Sequence, residues 1–332
     1  MNVSDKPALR SFQKVLAVWF GKAGRDLPWR RTRDPDPYAI TVSEFMCQQT
    51  QVVTVLPFFG RWMARFPNVT ALAEASEHDV LQLWQGLGYY RRAKNLHRLA
   101  KTVVTEHGGK FPKSFEALRA LPGVGDYTAG AVASFAFDLP VPAIDANVLR
   151  VTARLLDLQL PVDEAAGRKV IEQTVREWMP KKGARIFNSA IMELGALVCL
   201  PRNPTCGKCP VRSFCKATHP AELPIKAARK AVVRMDEVCG FVVKDAKFLL
   251  QQETGPRWNG LWKLPPAKRG GRVLMQSEYP FTHHRVTLTV VPIAPPRMLK
   301  ENQRWFSTLD DAPMPAPHRR ALAWLLAVGQ SP

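Results

Sequence analysis

The sequence predicts a mainly helical chain that is followed by a smaller α+β domain. Apolar residues recur at helical spacing through the first two-thirds of the 332 residues, whereas strand-like runs of β-branched residues begin only near residue 237. A polar, basic stretch between the two regions is typical of a linker. The predicted organisation is a helical domain over residues 1–216, a linker over 217–234, and a second domain over 235–332.

The composition of the chain narrows the classes of partner that it can bind. The chain carries 47 Lys+Arg against 28 Asp+Glu, which gives a formal net charge of +19. A field of this size favours a polyanionic partner, and we expect nucleic acid. The sequence has no apolar run long enough for a membrane span and no apolar signal segment near its start. We therefore expect a cytoplasmic protein with no membrane partner.

The first predicted helix has one apolar stripe from Leu9 to Phe20 and ends at Gly21 and Gly24. A basic loop follows, in which Trp29 and Arg30 can stack on or clamp a nucleic acid. The alternative is that the tryptophan plugs the core and the arginines are solvated. The sequence leaves both interpretations open.

A second helix is predicted from TVSEFMCQQTQV, residues 41–52, with Ser43 as its cap and Glu44 in its first turn. A carboxylate there ordinarily serves only the helix dipole. The polar run that follows includes Gln49 and Thr50, whose side chains can probe base edges or fill a base stack.

Another helix is predicted to begin at Ser76, which opens a capping-box variant. It runs into GLGYYRRAK, where Tyr89 and Arg91 are candidates for a wedge in a DNA duplex and for a phosphate contact. Core packing of a tyrosine is the alternative.

The turn LPGVGDYTAG, residues 121–130, is the organising motif of the chain. Gly123 and Gly125 allow a tight turn before a helix, and the N–H groups of that helix N-terminus suit a phosphate oxygen. An ordinary helix–turn–helix corner is the alternative. Asp145 and Asn147 follow at a second predicted helix start, where an aspartate can be a simple N-cap or a catalytic carboxylate.

A cysteine cluster is the most specific motif. Four of the six cysteines, namely Cys199, Cys206, Cys209 and Cys215, lie within residues 199–215. Four clustered thiolates can hold zinc or a [4Fe–4S] cluster. Zinc sites usually show two short Cys-x2-Cys pairs set well apart, whereas this loop has one such pair between wider gaps. The spacing therefore favours the iron–sulfur cluster.

The second domain shows strand patterns over residues 238–251 and 286–293 and a closing helix over 318–328. No cluster of glutamates typical of a Nudix catalytic box is present in this region, so nucleotide pyrophosphatase activity is not expected.

The motifs together resemble the MutY-type adenine DNA glycosylases of the helix-hairpin-helix, endonuclease III superfamily. The resemblance covers nearly the whole chain and is carried by LPWR, VSEFMCQQTQV, GLGYYRRAKNL, LPGVGDYTAGA, DANVLRV and the four-cysteine loop. It implies a helix-hairpin-helix domain of two helical subdomains with a [4Fe–4S] loop, and a shortened Nudix-like domain. It also implies a monomer in a bacterial cytoplasm, associated with the nucleoid, that excises adenine opposite 8-oxoguanine or guanine in duplex DNA.

The resemblance implies roles for individual residues. Glu44 would protonate the flipped adenine at N7, and Asp145 would stabilise or attack the sugar cation. Tyr127 and Asn147 would orient these groups. Residues that would contact DNA near the lesion are Gln49, Thr50, Tyr89, Arg91, Arg30 and the hairpin glycines Gly123 and Gly125, and those that would contact 8-oxoguanine are Phe281, Thr282 and His283.

Tyr127 separates the two branches of this superfamily. The endonuclease III branch carries a lysine there, which forms a Schiff base and cleaves the strand. The tyrosine therefore predicts a monofunctional glycosylase. The alternatives are an endonuclease III-like glycosylase and lyase acting on oxidised pyrimidines, a non-catalytic iron–sulfur DNA-binding protein, and a Nudix hydrolase fused to a DNA-binding domain.

The chain departs from the family pattern at three points. Ala146 replaces a glycine and would be strained at positive φ, Asp126 places negative charge near the expected phosphate site, and the second domain is short.

Overall fold

The computed structural model describes residues 6–31, 34–228, 231–255 and 257–328. These residues form two compact units. The first unit comprises the chain up to Glu74 together with Asn95–Ala228, and the second comprises Ala75–Lys94 together with the chain beyond Ala228. None of the helices in these ranges has the length and hydropathy of a membrane span.

The first unit is helical, as predicted. Its helices are α1 (Lys6–Ala23), α2 (Pro37–Cys47), α3 (Val52–Arg65), α4 (Val69–Glu74), most of α6 (Arg91–His107), α7 (Phe115–Ala120), α8 (Asp126–Phe137), α9 (Ala146–Leu156), α10 (Ala165–Trp178) and α11 (Ala184–Leu197); α5 (Glu77–Leu83) belongs to the second unit. Helix α8 is buried along nearly its whole length and packs against α2, α7 and α11. This arrangement sets α2 and α8, which carry two of the candidate catalytic residues, side by side.

The second unit combines strands and helix, which confirms the predicted α+β character. Its strands are β1 (Val233–Phe241), β2 (Val243–Lys244), β3 (Lys247–Gln252), β4 (Trp262–Lys263), β5 (Met275–Phe281), β6 (His284–Pro292) and β7 (Gln303–Phe306), and α12 (Ala316–Val328) is the predicted closing helix. In one sheet β6 lies between β1, which is parallel to it, and β5, which is antiparallel. In the other, β3 pairs with β2, β4 and β7. Apolar residues of both sheets and of α12 share one core.

Helix α2 begins earlier than predicted. Asp36 caps it by accepting hydrogen bonds from the Tyr38 and Ala39 N–H groups, and Pro37 occupies the first helical position, where a missing N–H costs nothing. The prediction of Ser43 as the cap is therefore wrong. Glu44 lies in the last turns of the helix, so its role is not that of a charge at the helix N-terminus.

Residues 75–94 group with the C-terminal strands, which the predicted domain boundaries do not anticipate. The Tyr90 hydroxyl donates to the Met314 carbonyl at 2.8 Å, and the Gln82 amide donates to the Asp310 carbonyl at 3.0 Å. These contacts are long-range in sequence and leave no local signal. The predicted domain boundaries stay a prediction.

The first part of the predicted linker packs on the first unit. The Val162 N–H donates to the Ile225 carbonyl at 3.0 Å, and the Asp163 carboxylate accepts from the Ala227 N–H at 2.8 Å. Residues 217–228 thus belong to the helical unit.

Candidate active site

Glu44 and Tyr127 form the centre of the candidate site. Glu44 is only 8% exposed, and its Oε2 accepts a hydrogen bond from the Tyr127 hydroxyl at 2.6 Å. Helix α2 supplies the carboxyl and the first turn of α8 supplies the phenol. The structure thus brings together two residues that are 83 positions apart in the sequence.

Burial raises the pKa of Glu44 to about 7; the hydrogen bond from Tyr127 opposes this rise, and the charge of Asp145 adds to it. Burial likewise raises the pKa of Tyr127 well above its ordinary value. A carboxyl with a pKa near neutrality can hold a proton and release it at physiological pH, which is what a general acid requires.

Asp145 is the N-cap of α9. Its Oδ1 accepts from the Val148 N–H at 2.8 Å and its Oδ2 accepts from the Asn147 side-chain amide at 2.7 Å. Burial raises the pKa of Asp145, and these two hydrogen bonds oppose the rise because they favour the ionised form. Capping and a role as a catalytic carboxylate are therefore compatible. Ala146 is the first helical residue and does not have positive φ, so the expected strain does not occur.

A chain of hydrogen bonds connects Asp145 to the cysteine loop. Asn147 donates to Asp145, and its Oδ1 accepts from Arg150 at 2.8 Å. Arg150 in turn donates to the carbonyls of Cys199 at 2.9 Å and Gly195 at 2.9 Å. The orientation of the carboxylate therefore depends on the backbone at the first candidate metal ligand.

The hairpin glycines differ from each other. Gly123 has a φ of 75°, and a Cβ there would lie 2.5 Å from the Asn95 Cβ, so glycine is required. Gly125 has a φ of −95° and open space around it, so its backbone does not use the conformational freedom of glycine. Its missing side chain instead leaves the N-terminus of α8 uncovered. The negative charge of Asp126 is paired with Arg119, whose Nε lies 2.5 Å from its Oδ1.

Two of the predicted DNA-contacting residues have left-handed backbones. Gln49, which follows α2, has a φ of 55°, and Tyr89, which precedes α6, has a φ of 47°. Such angles are uncommon for residues other than glycine and occur often at functional sites. Tyr89 is 60% exposed, whereas its neighbour Tyr90 is buried. Thr50 is half-buried and Arg91 is exposed at the start of α6.

Trp29 and Arg30 have different surroundings. Trp29 is buried with its ring 5.0 Å from that of Phe59, so the core-plug interpretation is the correct one. Arg30 instead pairs with Glu193 at 3.1 Å.

The four clustered cysteines line one cavity, and none of them forms a disulfide. The rest of the wall includes Val151, Leu194 and Val211. Burial raises the pKa of Cys209 to about 11, and the other three thiols add to the rise. Four thiolates this close need compensating positive charge, which a bound metal centre supplies; the donor set therefore fits the predicted cluster.

Arg154 in α9 donates several hydrogen bonds to the cysteine loop. It is 1% exposed and donates to the Cys199 Sγ at 3.3 Å and to the carbonyls of Leu200 at 2.7 Å, Pro201 at 2.9 Å and Leu223 at 3.0 Å. Such hydrogen bonds fix the loop and stabilise charge on the sulfur.

In the second unit, Phe281, Thr282 and His283 lie at the turn between β5 and β6. Phe281 pairs with His284, which leaves Thr282 and His283 as the turn residues. Thr282 has a φ of 53°, an unusual angle for a β-branched residue, and both turn residues are exposed.

The second unit also contains a partly buried polar cluster, which we call the Glu237 cluster: Glu237, Glu253, Arg257, Lys263, Tyr279 and His318. Tyr279 donates to the Glu237 Oε2 at 2.6 Å, and the Lys263 Nζ lies 3.3 Å from Oε1. Glu237, Cys239 and His318 place potential ligand atoms within 4.8 Å of one another. Since the Lys263 ammonium already neutralises Glu237, we interpret the cluster as an ion-pair network.

Two charged residues near the site, Glu193 and Arg150, were not predicted to be part of it. Glu193 in α11 is fully buried and pairs with Arg25 and Arg30. Arg150 holds Asn147. The available signal for Glu193 was a lone acid within the apolar run IMELGAL. His97 in α6 is also buried, at 3% exposure.

Comparison with protein families matches residues 42–181 to the HhH-GPD superfamily of base excision DNA repair proteins. Adenine DNA glycosylase of Mus musculus is 42% identical over 221 residues, which are 64% of this chain and 43% of the mouse protein. That of Mycolicibacterium smegmatis is 37% identical over 257 residues, which are 76% of this chain and 86% of the relative. The chain thus spans less than half the length of its mammalian relatives but most of the mycobacterial one.

Solved structures give the same superfamily. A thermostable thymine-DNA glycosylase matches with a TM-score of 0.57 and 28% identity, over 63% of this chain and 95% of its own. Endonuclease III trapped in a covalent complex with DNA matches with a TM-score of 0.54 and 25% identity, over 64% and 96%.

Proposed function

Because this chain belongs to the adenine DNA glycosylase family, we propose that it excises adenine mispaired with 8-oxoguanine or guanine in duplex DNA. The Glu44–Tyr127 pair is the single observation that supports this best, because it provides a buried carboxyl that can carry a proton at neutral pH.

Adenine leaves poorly as an anion, so the reaction needs a proton on the base. Glu44 supplies it, and the short hydrogen bond from Tyr127 to Oε2 leaves the other carboxyl oxygen for the base. The target atoms lie inside the duplex, so the nucleotide must first be flipped out.

Asp145 acts on the sugar. Loss of adenine leaves an oxocarbenium ion, which a carboxylate stabilises electrostatically or by covalent attack. Val148 and Asn147 donate to both carboxylate oxygens and hold the group in one orientation. The two carboxyls thus have opposite tasks, one as an acid and one as an anion.

Single-turnover release of adenine from duplexes carrying A opposite 8-oxoguanine, G or T tests the proposal. Fast release opposite 8-oxoguanine, slower release opposite G and none opposite T is expected. Glu44→Gln should slow release by a factor of about 10²–10⁴ while DNA binding persists. No release from any duplex would refute the assigned substrate, and unchanged release by Glu44→Gln would refute the assigned acid.

We further propose that the enzyme does not cleave the DNA strand. The side chain beside Glu44 is a phenol, whereas the lyase branch needs an amine to form a Schiff base. Borohydride trapping should therefore yield no covalent adduct with DNA. An adduct, or nicking of the strand, would favour the alternative of an endonuclease III-like lyase that acts on oxidised pyrimidines.

The cysteine loop is proposed to hold a [4Fe–4S] cluster. The ligands would be the four cysteines that line the common cavity, Cys199, Cys206, Cys209 and Cys215. Anaerobically purified protein should contain about four iron and four sulfide per chain. Cys209→Ala should lose iron and Cys47→Ala should not; stoichiometric zinc in place of iron would overturn the assignment.

We propose that the β5–β6 turn reads 8-oxoguanine. Phe281 is half-buried with an aromatic neighbour in Trp258 at 6.2 Å, while Thr282 and His283 are exposed. Thr282→Ala should reduce the preference for 8-oxoguanine over guanine more than it reduces the maximal rate. Equal preference in the parent and the variant would exclude this role.

A further inference from the structure

Glu193 is a fully buried carboxylate bound to two arginines. Its Oε1 accepts from the Arg25 N–H at 3.0 Å and from Arg25 Nε at 2.6 Å. Its Oε2 accepts from Arg25 at 3.1 Å and from Arg30 at 3.1 Å. The Glu193 side chain is 0% exposed, and burying a carboxylate costs free energy even when hydrogen bonds offset part of it. The presence of a buried charge at this position therefore calls for an explanation.

The two arginines belong to the loop between α1 and α2. Trp29, packed on Phe59, anchors this loop in the core, and the Arg30 guanidinium lies 5.5 Å from the centre of the Phe20 ring. Arg25 and Arg30 remain 38% and 24% exposed, so each keeps a solvent-facing side. Glu193 therefore fixes the inner sides of two cations whose outer sides stay accessible.

The last part of this loop, Pro28–Arg30, packs against α2, the helix that carries the candidate general acid Glu44. The positive charge of Arg30 is near enough to Glu44 to lower its pKa, while burial and the charge of Asp145 raise it. The charged and titratable groups that act on Glu44 are thus Tyr127 from α8, Asp145 from the start of α9, and Arg30 from the loop.

The net charge of the loop depends on Glu193. Without Glu193 the loop would carry the +2 charge of Arg25 and Arg30 with no compensating anion, whereas the three groups together carry +1. Positive charge favours the ionised carboxylate, which cannot protonate a base. Burial tends to raise the pKa of Glu193, but the hydrogen bonds and charge of Arg25 and the charge of Arg30 hold it below its usual value, so Glu193 stays ionised at neutral pH.

We infer that Glu193 is a positioning residue for the reaction: it holds both guanidinium groups in place and cancels enough of their charge for Glu44 to keep its proton at neutral pH. The inference rests on the proposed release of adenine.

The test is the pH dependence of single-turnover adenine release by the parent, Glu193→Gln and Glu193→Asp. In the parent, the rate of adenine release should fall at alkaline pH as Glu44 ionises. In Glu193→Gln this alkaline limb of the pH–rate profile should move to lower pH by about half a unit or more, because the uncompensated arginines favour ionised Glu44. Glu193→Asp keeps the charge, so its limb should stay near that of the parent even if the rate falls.

Arg30→Gln provides a second variant with the opposite sign. Removal of one positive charge should move the same limb to higher pH, and this measurement stands if Glu193→Gln fails to fold. A uniform loss of rate in both variants with unmoved limbs would overturn the inference and leave Glu193 a purely structural residue. Absence of adenine release from the parent would instead refute the proposed function.

Discussion

At the scale of single residues, the site combines groups that are unfavourable for folding and useful for chemistry. Among the described residues, Glu44 is buried with one side-chain hydrogen bond, from Tyr127, and the charge of Asp145 acts on its carboxyl. Most buried acids would instead be paired with a cation, as Glu193 is. Activity and stability are therefore opposed at Glu44.

We expect Glu44→Gln to stabilise the protein at pH 8 but not at pH 4.5. Since the pKa of Glu44 rises to about 7 in the folded state, its protonated form stabilises the fold at low pH, and this contribution is lost as pH rises through about 7. The gain in free energy of unfolding at pH 8 is at most about 3 kcal/mol. Urea unfolding at both pH values measures it; equal effects at the two would contradict the shifted pKa.

At the scale of elements, the turn before α8 contains one glycine that the fold requires, Gly123, and one that it does not require, Gly125. Gly123 is enclosed by Asn95 and has positive φ, whereas Gly125 has an ordinary backbone angle and open surroundings. The two positions therefore form a matched pair for separating folding from DNA contact.

Gly123→Ala should lower the free energy of unfolding by about 1–3 kcal/mol because of strain and contact with Asn95. Gly125→Ala should change stability by less than about 0.5 kcal/mol, yet weaken binding to duplex DNA by covering the helix N-terminus. Thermal unfolding and fluorescence anisotropy measure the two effects. Unchanged DNA affinity in Gly125→Ala would argue against a phosphate at this helix.

The Glu237 cluster connects four elements, β1, β4, β5 and α12. Burial tends to raise the pKa of Glu237, but contacts with His318, Tyr279 and Lys263 hold it at about 2. The contribution of this carboxylate to stability is therefore present above its ordinary pKa and lost as pH falls towards 2.

Glu237→Gln should destabilise the second unit by about 3 kcal/mol, because it leaves the partly buried Lys263 and Arg257 without their shared anion. Glu278→Gln is the control, since Glu278 pairs with Arg285 in an exposed position and should change stability by less than about 1 kcal/mol. Denaturant unfolding at neutral pH compares the two. Similar losses in both would show that the cluster contributes no more than a surface pair.

At the scale of the whole molecule, the net charge of +19 governs how the protein meets its partner. Contacts with phosphates release counterions from DNA, so the logarithm of affinity falls linearly with the logarithm of salt concentration. Plots of the logarithm of DNA affinity against the logarithm of salt concentration should therefore have the same slope for matched and mispaired duplexes. The two plots should differ only in the affinity at a given salt concentration. A flat dependence on salt would contradict a binding mode dominated by phosphate contacts.

The sequence was sufficient to name candidate site residues but not to predict how they are held in place. Glu44, Tyr127 and Asp145 each lie in a short sequence motif, so each can be identified from its immediate neighbours in the chain. The structure brings Glu44 and Tyr127 into contact. Ser43 was wrongly assigned as a cap because a pattern of apolar residues does not mark where a helix begins when Asp36 and Pro37 precede it. Roles that depend on distant partners leave little local signal.

Glu193 illustrates this limit. An acid in an apolar helix is recognisable from the sequence, but its partners Arg25 and Arg30 are more than 160 residues away. The buried position of His97 and the grouping of residues 75–94 with the C-terminal strands depend on tertiary packing in the same way.

The second unit is discontinuous in sequence, and this has a consequence for synthesis. Residues 75–94 leave the ribosome long before Met314, whose carbonyl accepts the hydrogen bond from Tyr90. During that interval the segment lacks its native packing, so it is exposed to proteases and to non-native contacts. Residues 75–94 therefore acquire their native contacts only after the C-terminal strands have been translated.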